Sequence, residues 1–252
     1  MNSDEPGIGR RYLRETRYRR ESLGEPGPVY PRVPQYKEYP QAPQRLPLDT
    51  VPRDPADLWA CLRERRSLRQ YRDRPLSLEE LTALLWATQG VTLASHHFLF
   101  RTAPSAGALY PVETYLAVHR VSGLDPGIWH LHIPDFTLEL VAAGDCRQPL
   151  VAACLGQNFM GTAPAAFIWT GILNRAMSKY RERAIRYIFL DAGHICQNLM
   201  LAATALGLGG CPVGAFFDHE VEQLVQVDGR EEVALYLAAV GAVGERSVIR
   251  NQ

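Results

Sequence analysis

Within RERRSLRQY, residues 63–71, three of the four arginines and one serine lie within five residues. Guanidinium groups match phosphate oxygens in pairs, and a hydroxyl adds a short hydrogen bond. The segment therefore predicts a phosphate site made of Arg65, Arg66, Ser67 and Arg69. The alternative is a solvated basic helix end, which the helix dipole also favours.

Two stretches of small residues could approach a ligand with their backbones. The first is TAPSAGALYP, residues 102–111, and the second is GLGGCPVGAFFD, residues 207–218. Small residues let amides come close to a flat ring without intervening side chains. Taken alone, however, the first stretch fits a tight turn before a strand better than a ligand-binding loop. The second is expected to expose backbone at Gly209, Gly210, Gly214 and Ala215. It is not a dinucleotide fingerprint, since no strand precedes a GxGxxG, and the sequence has no P-loop.

Lys179 and Tyr180, in SKYRERAIRY, are possible proton-transfer groups if they are buried near a substrate. The alternative is a solvated lysine beside a packing tyrosine. His130 and His132 share one face of a predicted strand, but no third ligand is evident, so no metal site is predicted. His194 falls within a long apolar helix and is expected to be a hydrogen-bonded core residue.

The elements that must position these residues follow from periodicity and caps. Ser77 and Glu80 form a capping-box pattern before a helix that stops at Gly90. Apolar residues at helical spacing predict a long helix over 182–206, and Asp218 is expected to cap a short one. The remaining predictions are a helix over 57–66 and strands over 114–120, 164–172 and 233–240, with two more around Pro134. Without a strict βαβ rhythm, this mixture indicates an α+β fold.

Composition narrows the function classes. The 27 basic and 27 acidic residues give a formal net charge of +0, which argues against a general nucleic-acid or anionic-membrane binder. No stretch resembles a signal peptide or a membrane-spanning helix. The five cysteines fit neither a disulfide framework nor a zinc site, so a reducing cytoplasm is the expected location.

The first 55 residues differ from the rest because they are rich in proline and tyrosine. Proline disfavours regular helix and central strand, so residues 1–55 are expected to form an extended arm on the surface of this chain or of a partner. The alternative is a flexible tail. Residues 56–252 form the predicted globular domain, which has no leader-peptide recognition domain, so a peptide substrate would need a partner or a second surface.

Taken in order, the motifs RRSxR, PSAGALYP, GHxxQNLxLAAxALGLGG and PVGAF resemble those of nitroreductase-type flavoproteins. More specifically, they resemble the SagB/ThcOx dehydrogenase branch, whose members oxidise azoline rings to azoles in peptide natural products. The resemblance covers residues 58–244 and includes the proline- and tyrosine-rich start. It implies a nitroreductase-like fold with a mostly antiparallel central sheet flanked by helices. It also implies non-covalent FMN in a site between the two subunits of an obligate homodimer.

The resemblance also implies roles for single residues. Arg65, Ser67 and Arg69, with Arg66, would hold the phosphate and ribityl chain, joined by a terminal arginine, Arg246 or Arg250. One side of the isoalloxazine ring would be lined by Pro104, Ser105, Ala106 and Gly107, and the other by Pro212, Val213, Gly214 and Ala215. Many nitroreductases carry Asn where Gly107 stands.

The Lys179-Tyr180 pair is similar to the proton-abstracting pair of azoline-oxidising members. The resulting hypothesis is a dehydrogenase in which Lys179 removes a carbon-bound proton, Tyr180 assists, and hydride passes to flavin N5. A lysine near its ordinary pKa of about 10.4 is a poor base at neutral pH, so burial of Lys179 is predicted. The alternatives are an NAD(P)H-dependent nitro or quinone reductase and a non-catalytic scaffold subunit.

Overall fold

A central antiparallel sheet organises the molecule, for which the computed structural model describes residues 7–18, 27–49, 55–95 and 98–244. Its strands are β1 (Arg45–Pro47), β4 (Val112–Val118), β5 (Gly127–His132), β6 (Thr137–Ala143), β7 (Ala165–Ile172), β8 (Leu208–Val213) and β9 (Glu232–Ala242). Their order is β1-β6-β5-β4-β7-β9-β8, and each neighbouring pair is antiparallel. A separate antiparallel pair consists of β2 (Val91–Ala94) and β3 (Leu99–Arg101).

Helices cover both faces of this sheet. The α-helices of the described residues are α1 (Ile8–Glu15), α2 (Leu58–Glu64), α3 (Leu78–Gln89), α4 (Arg147–Ala153), α5 (Phe159–Thr162), α6 (Leu173–Tyr180), α7 (Ala184–Ala205) and α8 (Asp218–Leu224). The core on one face contains residues of α3, α6 and α7, and the core on the other contains residues of α4, α5 and α8. The predicted α+β class, with a mostly antiparallel sheet between helices, is therefore confirmed.

Strand β4 shows why the sheet is buried on both sides. Leu116 and Val118 face the core on the α7 side, whereas Tyr115 and Ala117 face the opposite core. Successive side chains of a strand point to opposite faces, so a strand covered on both sides buries all of its side chains, and in β4 these are apolar apart from Glu113, Thr114 and the hydroxyl of Tyr115. In the described part of the chain, no helix is long and apolar enough to cross a membrane.

The two best-patterned helices form as predicted. The Ser77 side chain accepts the N–H of Glu80, while the Glu80 side chain accepts the N–H of Ser77, so the capping box of α3 is complete. The long helix α7 spans 22 residues. Gly207 follows it with a φ of 70°, a left-handed conformation that glycine adopts without strain.

Three expectations about the elements are wrong. A helix, α1, forms inside the proline-rich arm, because IGRRYLRE contains no proline. The glycine-rich stretch after α7 is largely strand β8, with Gly209 and Gly210 buried. Asp218 does not cap α8: Phe217 occupies the N-cap position, and Asp218 is the first helical residue.

Candidate active site

The loop between β3 and β4 has an unusual backbone. Gly107, Ala108 and Tyr110 all have positive φ angles, of 65°, 55° and 45°. Left-handed conformations cost a non-glycine residue about 1–2 kcal/mol, so they persist only where the surrounding structure enforces them. Two such residues within four positions indicate that the shape of this loop is maintained by its surroundings.

Hydrogen bonds fix both ends of this loop. The Ser105 hydroxyl donates to Asp191 of α7 at 2.5 Å and accepts the N–H of Tyr110 at 2.9 Å. Arg175 of α6 donates to the carbonyl of Tyr110 at 3.3 Å. The Tyr110 ring lies 4.4 Å from the guanidinium of Arg101, and the backbone N–H of Arg101 donates to the Tyr110 hydroxyl at 3.1 Å. The loop is thereby attached to two helices and to β3.

Gly107 brings the loop against the predicted proton-transfer pair. A Cβ atom added at this glycine would lie 2.6 Å from Tyr180 Oη and 2.7 Å from Lys179 Nζ. Real Cβ atoms essentially never make such short contacts. Gly107 therefore leaves the space that these two polar groups occupy, and an Asn at this position would have to displace them.

The burial predicted for Lys179 is wrong for the single chain. Lys179 is exposed and Tyr180 is half-buried. Both lie in the last turn of α6, and the lysine side chain remains exposed although its Nζ lies beside Gly107. The Tyr180 ring instead packs edge-on against Tyr187 of α7, with centroids 4.9 Å apart.

The sheet topology explains why separate motifs meet. Val112, the first residue of β4, pairs with Gly171 near the end of β7, and Gly171 pairs with Val233 near the start of β9. Val213, the last residue of β8, pairs with Leu237 of β9. The loop before β4, helix α6 after β7 and the segment after β8 consequently leave the sheet at the same end.

The predicted arginine cluster runs beside β8. Ser67 forms a parallel bridge with Gly210, and the N–H of Leu68 donates to the Gly210 carbonyl at 2.9 Å. The guanidinium of Arg69 stacks 5.7 Å from the ring centre of Phe159. Burial raises the pKa of the Cys211 thiol, and the neighbouring Arg69 offsets part of that rise.

The arginines of this cluster are available for an anion. No described carboxylate forms an ion pair with Arg65, Arg66 or Arg69. Arg66 instead donates to the carbonyls of Arg63 and Arg65, which end helix α2. Guanidinium groups that have no described carboxylate partner and lie beside a serine hydroxyl suit a phosphate. Arg246, the predicted terminal contact, lies outside the described residues, as does Arg250.

The glycines after α7 have two different roles. A Cβ at Gly209 would lie 2.4 Å from Val243 Cγ1, and one at Gly210 would lie 3.0 Å from Met200 Sδ, so these two allow close packing inside the protein. The expectation that they expose backbone is therefore wrong. Pro212 and the buried Val213 end β8, whereas Gly214 and Ala215 are exposed beyond it. The expectation of exposed backbone thus applies to Gly214 and Ala215.

A buried network of charged residues connects helix α6 to the sheet. Arg175 pairs with Glu113, Glu113 accepts from His130 at 2.9 Å, and His130 contacts Glu139 at 3.1 Å. Burial alone would raise the pKa of Glu113, but Arg175, His130 and Arg101 outweigh it and hold that pKa well below its usual range. Burial would lower the pKa of His130, yet its bonds to both glutamates raise it overall.

The described parts of the arm lie on their own chain. The carbonyl of Pro34 accepts from Arg175 Nε at 2.8 Å, and Lys37 pairs with Glu232 at 2.6 Å. Tyr30 donates to Glu182, two residues after Tyr180. Strand β1 pairs with β6 at the edge of the sheet. The arm therefore contacts the elements that carry the candidate site.

Some residues of this site were missed or misplaced from sequence. Arg175, Glu113 and Asp191 were not singled out, although a charged residue within an apolar strand or helix is a signal that could have found them. His194 is exposed on α7 in the single chain, so the expectation of a core histidine is wrong. All five cysteines are buried and free.

Comparison with known proteins decides the family. A model of the nitroreductase family matches residues 62–242. The chain belongs to the nitroreductase family. Such proteins are oxidoreductases, and the strand and helix arrangement described above is the fold of this family.

One similar protein is named as a nitroreductase and another is named for the processing of a natural product. The Methanocaldococcus jannaschii protein MJ1384, which carries the name nitroreductase, is 38% identical over 179 residues, 71% of this chain and 87% of that protein. The trifolitoxin-processing protein TfxB of Rhizobium leguminosarum is 29% identical over 170 residues, 64% of this chain. The chain spans only 46% of the length of TfxB.

Solved structures share the fold. An Anabaena variabilis structure described as a nitroreductase superposes with a TM-score of 0.71 at 28% identity, covering 83% of this chain and 44% of that one. A chain of the Escherichia coli microcin synthetase McbBCD complex, with truncated pro-MccB17 bound, gives a TM-score of 0.60 at 20% identity. It covers 94% of this chain and 92% of that one.

Proposed function

We propose that this chain is an FMN-dependent dehydrogenase of the SagB/ThcOx type, which oxidises an azoline or a similar heterocycle. The observation that carries the proposal is the contact of Gly107 with Lys179 and Tyr180. A lysine and a tyrosine placed against a small-residue loop suit proton abstraction from a flat substrate beside that loop. Similarity to TfxB, which is named for trifolitoxin processing, supports a modified peptide as substrate, with a small molecule as the alternative.

The residues present fit FMN. Arg65, Ser67 and Arg69 would hold its phosphate, because none of the three has a described carboxylate partner. The loop at 104–107 and the exposed backbone at 214–215 would lie against the ring, with an amide of the second segment towards N5. When bound, FMN would supply the hydride acceptor. The chain itself would supply binding, orientation and proton transfer.

The use of lysine in this chain supports a chemical role for Lys179. The sequence has 25 arginines and only two lysines, Lys37 and Lys179. Arginine does not lose its proton in proteins, whereas a lysine becomes a base once its surroundings lower its pKa. A lysine at position 179 therefore permits proton abstraction, whereas an arginine there would not. The basic residues that follow it, Arg181, Arg183 and Arg186, are all arginines.

A second subunit would provide the cover that Lys179 lacks in the single chain. Leu58 and Trp59 of α2 are 54% and 70% exposed, and Phe189 and Leu190 of α7 are 57% and 53% exposed. Helices α2 and α7 contact each other, so these residues lie on neighbouring elements. Such exposed apolar residues favour a homodimer with the FMN site at its interface.

Lys179→Arg tests the chemistry because it keeps the positive charge and removes the base. A synthetic thiazoline-containing peptide is the probe, and anaerobic loss of the oxidised flavin absorbance is the signal. We expect at least a 100-fold slower loss with FMN binding unchanged, within the usual range of about 10²–10⁴ for general-base catalysis. The matched control is Lys37→Arg, which retains its pair with Glu232 and should react normally.

Three outcomes would contradict the proposal. Full activity of the Lys179→Arg variant would remove Lys179 from the mechanism. Failure of the wild-type protein to reduce its flavin with the probe would argue against azoline oxidation. A colourless protein that takes up no added FMN would favour the hypothesis of a non-catalytic scaffold subunit.

The second candidate is an NAD(P)H-dependent reductase of nitro compounds or quinones, which the similarity to MJ1384 favours. Anaerobic mixing with NADPH separates the two functions. Rapid bleaching of the flavin would support the reductase. Its absence, together with bleaching by the peptide probe, would support the dehydrogenase.

A further inference from the structure

Asp191 is a buried carboxylate that the proposed proton transfer does not use. It lies within α7 and is 5% exposed. The hydroxyl of Ser105 and the backbone N–H of Ala106 donate to it. No described lysine or arginine forms an ion pair with it. Burial raises the pKa of Asp191, and its bonds to Ser105 and Ala106, with the charge of His194, offset part of that rise.

A buried carboxylate that forms no ion pair with a lysine or arginine is costly to keep charged. An Asn side chain at position 191 has nearly the same shape, and its amide oxygen has two lone pairs that can accept hydrogen bonds from the loop without bringing a charge into the interior. Holding the loop between β3 and β4 in place through Ser105 and Ala106 therefore does not by itself require an aspartate. A charge retained at a cost to stability indicates a role for the charge itself.

The position of Asp191 shows what its charge would act on. Ser105 and Ala106, which donate to it, precede Gly107, and Gly107 contacts Lys179 and Tyr180. Asp191 therefore lies directly behind the loop that would line the flavin ring. Two-electron reduction adds electron density to that ring, and a nearby negative charge disfavours the reduced form.

We propose that Asp191 is a positioning residue whose negative charge makes the site favour oxidised over reduced FMN, which lowers the reduction potential of the bound flavin. The proposal rests on FMN being the cofactor, as argued above. Asp191 acts through Ser105 and Ala106, and it assists turnover by favouring reoxidation of the flavin after each round.

The test compares the wild-type protein with Asp191→Asn. The dissociation constants of oxidised and reduced FMN are measured anaerobically by titration, and the midpoint potential is measured independently. We expect the affinity for reduced relative to oxidised FMN to rise about tenfold in the variant. That change corresponds to a potential about 30 mV higher for a two-electron couple. Glu222→Gln is the matched control, since Glu222 is also buried and accepts a backbone N–H but lies on α8 at the opposite face of the sheet.

Thermal unfolding of the FMN-free proteins gives a second measurement, independent of the cofactor. Because Asn avoids burying a charge, Asp191→Asn should melt at the same temperature as the wild type or higher. An unchanged affinity ratio and potential would overturn the proposal, and so would a large fall in melting temperature, which would assign Asp191 a purely structural role. If Asp191→Asn does not fold, Asp191→Ser supplies the same comparison. A wild-type protein that binds no FMN would instead refute the proposed function, and this inference with it.

Discussion

Gly107 offers a sharp test of the candidate site because two separate costs apply at one position. In Gly107→Ala, the new Cβ would come within 2.7 Å of both Tyr180 Oη and Lys179 Nζ. These atoms end flexible side chains, so they would move aside instead of breaking the fold. The backbone, with its φ of 65°, would meanwhile place alanine in the left-handed region.

The two costs predict different magnitudes. The left-handed conformation costs alanine about 1–2 kcal/mol, which lowers the melting temperature by roughly 2–8 °C in a chain of this size. Displacement of the lysine and tyrosine affects chemistry far more, since a misplacement of about 1 Å at a reacting group costs about 100-fold in rate. We therefore expect a mild loss of stability and a loss of at least about 100-fold in reduction of bound flavin by the thiazoline peptide.

Gly123→Ala is the matched control. Gly123 also has a positive φ, of 83°, but nothing lies within 4 Å of its added Cβ. It should show the same fall in melting temperature and full activity. Gly107→Asn adds a further comparison, because Asn tolerates the left-handed region better than Ala and should be more stable but equally inactive. A Gly107→Ala variant as active as Gly123→Ala would refute the proposed roles of Lys179 and Tyr180.

The buried charge network supports two further predictions. Arg175→Met should lower the free energy of unfolding by about 3–5 kcal/mol, because it leaves Glu113 buried without its strongest partner. The double variant Arg175→Met/Glu113→Gln should recover much of that loss. Denaturant unfolding measures both effects. The pKa of His130 is raised above its ordinary value of 6.5, so the stability contributed by its charged form is complete below that pH and is lost as pH rises through the folded-state pKa. His130→Gln should flatten this decline in denaturant titrations at several pH values, and an unchanged slope would contradict the assignment.

Local signals in the sequence predicted several elements well. The capping pattern at Ser77 and the apolar spacing of α7 specify helices through contacts within a few residues. Strand β8 was missed because its glycines are typical of a loop. In the structure Gly209 packs against Leu68 and Val243, and Gly210 packs against Met200 and the carbonyl of Ala239, so the strand depends on residues outside the local pattern.

The candidate site was predicted in parts but not as an assembly. Lys179 and Gly107 were each identified, yet their proximity depends on the pairing of β4 with β7, which no local pattern reveals. Helix α6 was not predicted because it is short and buries Arg175 beside apolar residues. The exposure of Lys179 follows from its place at the end of that helix, so its chemical environment depends on whatever covers the helix end.

Strand β1 has a consequence for any attempt to shorten the chain. Its three residues pair with Thr137, Leu138 and Glu139 of β6 and cover part of the outer edge of β6. Removal of the arm would expose these backbone N–H and C=O groups, and an unprotected edge is a template for pairing with other chains. Loss of activity in such a shortened protein could then arise from aggregation, so its state of association has to be measured before a catalytic role is assigned to the arm.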